Sequence, residues 1–450
     1  MTVARPEAES FTGAVFTGAD IPATAKRDRS GHAVAGDPDV LIRAADVADV
    51  QRAITFAARE GLSVVVRGAG TGLAGGAAAG AGTLVLDVSG LDRILELSAA
   101  DELAVVEAGV PAATLDAAAA RIGLRYAPDP ASTAISTIGG NIATNAGGLR
   151  CVKYGVTGDS VLGLSVVLAD GTLIHTGRRT AKGVAGLDLT SLFTGSEGTL
   201  GVIVSATVRL QPVPVRTVTV AAYFDDVETA AAATAEVLAA RVRPAMLELL
   251  DADSLREAQD LLGHQGQEAG AFVVAQTDGF GADAEAAVVE SCFARFTSRV
   301  SAEADPGAAE NLLAVRRAAL PALERHGRVL IEDIAVPRSR IAQATQRISA
   351  IARQYDSRIH TFGHAGDGNL HPIIVVPAHD PGAGERAQAA ADEIFSTALE
   401  LGGTITGEHG VGLLKRDWLA RELGPDALRV QRVIRRAVDP GGLFNPGKVF

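Results

Sequence analysis

A glycine-rich stretch between two short apolar runs limits the folds open to this chain. Residues 64–77 read VVVRGAGTGLAGGA, so that residues 70–75 fit the pattern G-x-G-x-x-G directly after a predicted strand. In a Rossmann fold, such glycines open a helix whose N-terminus meets a pyrophosphate. Here only residues 77–82 (AAAGAG) precede the next predicted strand, which is too few for a crossover helix. The spacing excludes a Rossmann fold and predicts a helix-free cradle of backbone N–H groups for an anion.

A second segment has a similar composition of small and polar residues. Residues 132–148 read STAISTIGGNIATNAGG, and their paired glycines allow a flat ligand to approach the backbone. The hydroxyl and amide groups of Ser136, Thr137, Asn141 and Asn145 suit ring heteroatoms or phosphate oxygens. Two such cradles indicate a long ligand that carries both a diphosphate and a polar ring system.

Composition and charge exclude several classes of partner. The chain has 41 basic and 53 acidic residues and a net charge of −12, which argues against nucleic acid binding. Its longest apolar runs are far shorter than the ~20 residues of a membrane span. The N-terminus, MTVARPEAES, lacks the apolar region of a secretory signal, so we expect a cytoplasmic protein. Two cysteines, Cys151 and Cys292, are too few to bind an ordinary iron–sulfur cluster.

Residues 211–214 (QPVP) are the best candidate for a domain boundary. We expect a first domain over residues 1–212, which begins with a loosely held arm over residues 1–35. A second domain follows over residues 213–400, and a C-terminal segment covers residues 401–450. Beyond the boundary, predicted strands alternate with helices, which indicates an α+β sheet with helices on one face. One of those helices, over residues 308–325, is expected to break near Pro321.

A histidine-rich segment, HTFGHAGDGNLHP, predicts half of a metal site. Asp367 and Gly368 predict a two-residue hairpin turn, and counting outward from it places His364 opposite His371. Cβ atoms in such a pair lie about 4.5–5.5 Å apart. Glu408, beside His409 in GTITGEHGVG, is a candidate third ligand, and two histidines with one carboxylate are typical of catalytic zinc or manganese. The alternative is that these histidines are ordinary polar residues of a hairpin.

The first half of the chain resembles a known flavoprotein family. Its motifs are RGAGTGLAGG, PDPASTAISTIGGNIATNAGG, CVKYGVTGDSVLGL and LFTGSEGTLGVI, and in this order they resemble the FAD domain of the vanillyl-alcohol-oxidase/PCMH flavoproteins. The resemblance implies an α+β fold, with a two-part PCMH-type FAD-binding domain and an α+β substrate (cap) domain built on an antiparallel sheet. The loops lack the histidine that attaches flavin in some members, so we expect non-covalent FAD.

The resemblance also implies where FAD lies. The pyrophosphate is expected on the backbone of residues 67–71, the isoalloxazine ring near residues 136–141, and the adenosine end beside residues 201–203. The residues it assigns to the cofactor are Arg67, Gly68, Ala69, Gly70, Thr71, Gly72, Ser136, Thr137, Gly139, Gly140, Asn141, Thr144, Gly147, Gly201, Ile203 and Asn445.

The second half resembles the C-terminal domain of FAD-linked D-2-hydroxy acid dehydrogenases. The motifs are FGHAGDGNLHPI, GTITGEHGVGLLKR and DPGGLFNPGKVF. The group includes D-lactate dehydrogenases and the flavin subunit of glycolate oxidase, and implies oxidation of a small D-2-hydroxy acid to the 2-oxo acid. By this similarity His364, His371 and Glu408 bind a divalent metal, zinc or manganese, and His409 is the base. Asn445 and Lys448 are expected to close over the flavin.

The substrate carboxylate calls for an arginine, whose planar fork suits it better than lysine does. AVRRAALPAL, over residues 314–323, offers Arg316 and Arg317, and the family pattern selects Arg316 although Leu313 replaces the usual aromatic residue. Arg338 and Arg340 are alternatives, and a solvated basic helix face would explain the same residues without a ligand.

The electron acceptor is left open by the residues, as is the oligomeric state, for which a homodimer is one candidate. A quinone, a cytochrome, an electron-transfer flavoprotein or a partner subunit would each serve as acceptor. Two other functions stay open: a flavin enzyme of the same fold that oxidises another alcohol, such as a sugar, and the FAD subunit of a glycolate oxidase-type complex.

Overall fold

The computed structural model describes residues 10–263, 268–377 and 379–450, which form two compact units. The first unit comprises the described part of Met1–Gly148 together with Gly155–Val213 and Glu408–Phe450. The second comprises Leu149–Tyr154 and the described part of Pro214–Gly407. Of the predicted N-terminal arm, residues 1–9 lie outside the described residues.

A four-stranded sheet in the first unit carries the glycine loop. Its strands are β1 (Ala14–Thr17), β2 (Val40–Arg43), β3 (Ser63–Arg67) and β4 (Thr83–Asp87), in the order β1-β2-β4-β3. Helix α1 (Val47–Glu60) connects β2 to β3; Asp46 caps its start, and Gly61 ends it with a left-handed φ of 68°. Strands β3 and β4 are parallel neighbours, yet residues 68–82 between them contain no helix. This confirms the helix-free connection that excludes a Rossmann fold.

A five-stranded antiparallel sheet completes the framework of the first unit. Its strands are β5 (Ile94–Ser98), β6 (Leu103–Glu107), β8 (Val161–Val167), β9 (Leu173–Gly177) and β10 (Val202–Arg209), in the order β5-β6-β10-β8-β9. A short pair, β7 (Leu124–Arg125) and β11 (Gln211–Pro212), lies outside it. The remaining helices of this unit are α2 (Ala112–Ala120), α3 (Ile138–Thr144), α5 (Thr157–Ser160), α6 (Leu189–Phe193) and α13 (Arg416–Val438), and α13 is kinked at Gly424. One apolar core joins both sheets to α1 and α3 through fully buried residues such as Ile54, Leu86, Val106 and Ile142.

Helix α3 lies within the second glycine-rich segment, where composition did not predict a helix. Thr137 caps it by accepting a hydrogen bond from the N–H of Gly140 (3.2 Å), and Asn145 ends it with φ 52°. Its two glycines disfavour a helix, so tertiary packing must stabilise the helix at this position. A Cβ on Gly139 would lie 2.6 Å from the Cβ of Ala108, and only glycine allows this close approach.

The second unit is built on one eight-stranded antiparallel sheet. Its strands are β12 (Thr217–Phe224), β13 (Met246–Asp251), β14 (Ala271–Asp278), β15 (Val300–Glu303), β16 (Arg328–Ile331), β17 (Ile334–Ala335), β18 (Arg358–His364) and β19 (Asn369–Val376). Their order is β15-β12-β14-β13-β18-β19-β16, and β17 pairs with β19. The helices are α4 (Cys151–Tyr154), α7 (Val227–Ala239), α8 (Ala252–Leu262), α9 (Ala282–Ala294), α10 (Pro306–Glu324), α11 (Ile341–Gln354) and α12 (Ala383–Glu400).

Helices cover both faces of this sheet, so the expectation of helices on one face is wrong. Leu255 of α8 and Val315 of α10 pack in a cluster with Phe272 on one face. On the opposite face, Phe293 of α9 contacts Phe224 edge to face, with ring centroids 5.9 Å apart. The sequence carried a signal for this arrangement, because β14 begins with the apolar run AFVVA, which lacks the alternation of a half-exposed strand. In the structure all eight residues of β14 are buried.

Helix α10 continues past Pro321, so the predicted break is also wrong. Proline removes one backbone N–H, which would have bonded to the carbonyl of residue 317. Both Arg317 and Pro321 are exposed, so water can satisfy that carbonyl. Within the described parts of the chain, no helix combines the length and apolar character needed to span a membrane.

Candidate cofactor and metal sites

The glycine loop of the first unit presents backbone N–H groups that other parts of the unit do not use. Among the described residues, the N–H groups of residues 69–76 donate no hydrogen bond to the protein. Arg67, Ala69 and Gly70 line a cavity of about 440 Å³ together with Arg27 and Arg29. Unpaired N–H groups beside arginines have the chemistry of an anion site, which fits the pyrophosphate expected there.

Arg67 is held over this loop. Its Nη1 donates to the carbonyl oxygen of Arg27 (2.9 Å), and burial lowers the pKa of Arg67 below its usual value, opposed by Asp87 and Asp28. A Cβ on Gly70 would meet the guanidinium, so the guanidinium lies directly against the Gly70 backbone. The predicted residues Arg67, Ala69 and Gly70 therefore line one surface.

The two glycine-rich segments meet in the folded unit. A Cβ on Gly68 would lie 2.4 Å from the Oγ1 of Thr137, so the Gly68 backbone lies against the Thr137 side chain. Ser136 and Asn141 are 1% and 4% exposed, and among the described residues Ser136 Oγ and Asn141 Nδ2 have no hydrogen-bond partner. Buried polar atoms nearly always have a hydrogen-bond partner, so these two atoms are suited to hydrogen-bond the polar ring of a bound cofactor.

Other predicted cofactor residues have roles in packing. Thr144 Oγ1 donates to the carbonyl of Gly140 (3.2 Å), inside α3. A Cβ on Gly201 would lie 2.7 Å from Val166, so glycine allows this chain to approach β8, and Ile203 is buried in β10. Asn445 donates through Nδ2 to the carbonyl oxygens of Glu197 (2.7 Å) and Gly76 (3.3 Å).

The histidine hairpin of the second unit has a wider turn than predicted. His364 pairs with Asn369, and Phe362 pairs with His371, so four residues, 365–368, form the connection. The N–H groups of Asp367 and Gly368 both donate to the His364 carbonyl (3.2 and 3.0 Å), which closes this longer turn. The prediction that His364 lies directly opposite His371 is therefore wrong. The two residues are diagonal neighbours on one face of the sheet.

The imidazoles nevertheless meet. The Nε2 atoms of His364 and His371 are 3.3 Å apart, the ring centroids are 5.1 Å apart, and the rings are nearly perpendicular at 84°. Both residues are buried, at 5% and 4% exposure. Nitrogens of two histidines on one tetrahedral zinc, each about 2.0–2.1 Å from the metal, are separated by about 3.3–3.4 Å. The observed separation fits two ligands of one metal ion.

Two buried carboxylates that the sequence did not predict lie behind these imidazoles. Glu248 of β13 accepts a hydrogen bond at Oε1 from Nδ1 of His364 (2.7 Å). Asp333 Oδ1 lies 3.7 Å from Nδ1 of His371 and accepts a hydrogen bond from Nδ2 of Asn369 (2.7 Å). Carboxylates that bind the remote nitrogen of a metal-ligating histidine fix its tautomer and orientation.

Arg316 belongs to the same buried network. Its Nε donates to Oε2 of Glu248 (2.7 Å), and its guanidinium lies 4.7 Å from the centroid of the Phe362 ring. Burial alone would raise the pKa of Glu248, but His364 and Arg316 hold it below its usual value. The alternatives lie on the surface: Arg317 pairs with Glu310, and both Arg338 and Arg340 are exposed.

Glu408 and His409 belong to the first unit, where a glycine-rich bend presents both. A Cβ on Gly147 would lie 2.4 Å from Oε2 of Glu408, so the predicted flavin segment and this carboxylate are in contact. His409 Nε2 lies 3.7 Å from Glu408 Oε1, and Gly410 follows with φ 84°.

Two family models match successive parts of this chain, and the second also covers residues 408–449, which the structure places in the first unit. A model described as "FAD binding domain" matches residues 38–177, and one described as "FAD linked oxidases, C-terminal domain" matches residues 213–449. Glycolate oxidase subunit GlcD of Bacillus subtilis is 41% identical over 92% of this chain and 89% of its own length. D-lactate dehydrogenase of Anaerostipes hadrus is 33% identical over 92% of this chain and 89% of its own length. The structure of p-cresol methylhydroxylase shares the fold, with a TM-score of 0.79 at 17% identity over 97% of this chain and 93% of that chain.

Proposed function

This chain belongs to the FAD-linked oxidases, and from that membership we propose that it is a dehydrogenase that oxidises a small D-2-hydroxy acid to the 2-oxo acid. Relatives named glycolate oxidase subunit and D-lactate dehydrogenase support a substrate of the glycolate or lactate type. The chain is an FAD-linked oxidoreductase with an FAD-binding domain. Beyond this, the identity of the substrate, the bound metal and the roles of single residues are what we propose.

The observation that carries the proposal is the 3.3 Å separation of the His364 and His371 Nε2 atoms, which suits a divalent metal, zinc or manganese. When bound, such an ion lowers the pKa of a hydroxyl group that it contacts. His364 and His371 would hold it, with Glu408 as the third ligand expected from the sequence pattern. Glu248 would keep the His364 ring oriented.

The other residues are assigned to the substrate and to FAD. We assign removal of the hydroxyl proton to His409, because imidazole titrates near neutral pH. Arg316 would bind the substrate carboxylate, with its guanidinium held in place by Glu248 and Phe362. The unpaired N–H groups of residues 69–76, together with Ser136 and Asn141, would hold non-covalent FAD, which accepts the substrate hydride when bound.

We propose that the electrons leave to an external acceptor, because this chain has too few cysteines for its own iron–sulfur cluster. Relatives named as a glycolate oxidase subunit make a partner subunit a candidate beside a quinone, a cytochrome or an electron-transfer flavoprotein.

Anaerobic flavin reduction tests the proposal directly. Purified protein should be yellow, and D-lactate or glycolate should bleach the flavin absorbance while L-lactate should not. Yellow protein that no 2-hydroxy acid bleaches would overturn the substrate assignment. His409→Asn should keep FAD bound and slow flavin reduction by at least about 100-fold; reduction at the normal rate would refute the assigned base.

Metal content tests the histidine pair separately. His371→Ala should lose both metal and flavin reduction, as measured by elemental analysis and stopped-flow absorbance. His326→Ala is the matched control, because His326 belongs to the same unit but is partly exposed and paired with Glu257. Unchanged metal content in His371→Ala would contradict the metal site.

A further inference from the structure

The segment Gly442–Phe450 packs behind the glycine loop within the first unit. The N–H of Val64 donates to the carbonyl of Leu443 (2.8 Å), and the N–H of Asn445 donates to the carbonyl of Val64 (2.9 Å), which fastens this segment beside β3. The N–H groups of Leu413 and Leu414 donate to the carbonyl of Ala74 (2.9 and 3.2 Å). Residues from the far end of the chain thus contact the loop on which the FAD pyrophosphate is expected.

Lys448 makes the most specific of these contacts. It is 3% exposed, and its ammonium donates to the carbonyl oxygens of Gly76 (2.8 Å) and Ala78 (2.7 Å) and to Oδ1 of Asn445 (3.0 Å). An ammonium group has three N–H donors, and these three acceptors use all of them. Lys448 is therefore committed to the protein and has no donor left for a ligand.

Asp28 and Asn445 also bind within residues 76–78, as Lys448 does, and we call these three side chains together the clamp. Oδ2 of Asp28 accepts from the N–H of Ala77 (3.2 Å), between the two carbonyls that Lys448 binds. Asn445 bonds to Gly76 through Nδ2 as well as to Lys448 through Oδ1. The loop backbone is therefore held by the Lys448 ammonium, which binds its carbonyls, and by the Asp28 carboxylate, which binds its N–H.

The direction of these carbonyls matters for the neighbouring N–H groups. A loop that points its N–H groups at an anion must turn its carbonyls away from that anion, because carbonyl oxygens would repel it. The carbonyls of Gly76 and Ala78 are turned towards Lys448, while the N–H groups of residues 69–76 are unused among the described residues. Burying an ammonium group costs free energy unless it is fully hydrogen-bonded. A lysine at this buried position therefore indicates a role other than packing.

We propose that Lys448 is a positioning residue for FAD: it binds the carbonyls of residues 76 and 78 and so keeps the loop N–H groups arranged for the diphosphate. The proposal rests on the FAD site of the proposed function and assigns Lys448 to the loop, not to the flavin ring that the family resemblance implies.

Burial lowers the pKa of Lys448 to about 8, although Asp28 and Glu197 act to raise it. Besides these two carboxylates, Lys415 acts on Glu197, and Arg67 lies near Asp28. Below about pH 8 the ammonium is protonated and makes three bonds; above it, the neutral amine has only two donors for three acceptors. FAD affinity of the unaltered protein should therefore decline as pH rises through about 8.

The test is FAD binding to apoprotein, measured by quenching of flavin fluorescence from pH 6.5 to 9.5. Lys448→Met should raise the dissociation constant of FAD by about 10-fold or more at pH 7, and Lys448→Gln should raise it by less. In both variants the decline near pH 8 should disappear. Lys182→Gln is the matched control: Lys182 is an exposed lysine of the same unit, and its substitution should leave affinity and pH profile unchanged.

Thermal unfolding of each apoprotein shows whether a variant is less stable overall. A general loss of stability would leave the pH dependence of FAD affinity in place, whereas a loss of loop positioning would remove it. If Lys448→Met does not fold, the pH profiles of the unaltered protein and of Lys448→Gln decide the question. FAD affinity that is flat across pH 8 in the unaltered protein, or normal in Lys448→Met, would overturn the clamp and leave the proposed function standing. A wild-type protein that takes up no FAD would overturn both.

Discussion

Removing the carboxylate of Glu248 should destabilise the second unit strongly. Arg316 Nε and Glu248 Oε2 are 2.7 Å apart, and their side chains are 10% and 0% exposed. With an effective dielectric constant of 20, two unit charges at that distance attract by about 6 kcal/mol, which offsets a desolvation cost of several kcal/mol per ion. Glu248→Ala leaves the guanidinium buried without its partner, so we expect it to lower the free energy of unfolding by about 3–5 kcal/mol.

Urea unfolding followed by far-UV circular dichroism measures this change. Fluorescence is unsuitable, because Trp418 is the single tryptophan in the sequence and belongs to the first unit. Glu310→Ala is the matched control, since Glu310 pairs with Arg317 on the same helix but both side chains are exposed, and we expect a loss below about 1 kcal/mol. The double variant Glu248→Met with Arg316→Met should recover most of the loss. A Glu248→Ala protein within about 1 kcal/mol of wild type, or a double variant no more stable than the single one, would refute the reasoning.

Three further substitutions have distinct expected outcomes. His360 is 2% exposed with both ring nitrogens unpaired among the described residues, and burial lowers its pKa, so its contribution to stability is present above about pH 6.5 and lost as pH falls. His360→Leu should therefore raise the thermal unfolding temperature, and by more at pH 5.5 than at pH 7.5; an equal shift at both would contradict this. Gly139→Ala should destabilise the apoprotein by about 1–3 kcal/mol, because its Cβ meets Ala108, whereas Gly140→Ala, whose Cβ meets only Thr137 Oγ1 at 3.1 Å, should be tolerated in calorimetry. Asp333→Ala should lower the urea midpoint, because Asn369 and Thr406 both donate to this buried carboxylate (2.7 Å each), and Asp333→Asn should retain part of that stability.

The sequence predicted the elements whose signal is local and missed those that depend on distant partners. The connection after β3 is identifiable because six residues cannot form a crossover helix, whatever the rest of the chain does. Helix α3 was missed because its residues have poor helix propensity and its stability comes from contact with Ala108, about 30 residues earlier in the chain. Helices on both faces of the second sheet were missed although β14 begins with five apolar residues, AFVVA.

Glu248 shows the same limit at the candidate metal site. Strand β13 reads MLELLD, and one glutamate inside an apolar run is a signal of a buried charge. Its partners, Arg316 and His364, follow 68 and 116 residues later. The pairing of β13 with β18 brings His364 to Glu248, and the packing of α10 on the sheet brings Arg316. Sequence spacing alone carries no information on that pairing or packing, so the charge could be suspected but its role could not be assigned.

The error in the hairpin register explains why the histidine pair was still found. Side chains alternate between the two faces of a strand, so a shift of the turn that moves the pairing by two residues leaves His364 and His371 on the same face. A shift by one residue would have sent one imidazole to the opposite face and separated the pair. A prediction that two residues share a face of the sheet therefore survives such an error in turn length. A prediction that they lie directly opposite each other does not. The proposed metal chemistry needs only the shared face, because two nitrogens 3.3 Å apart are reached from diagonal positions.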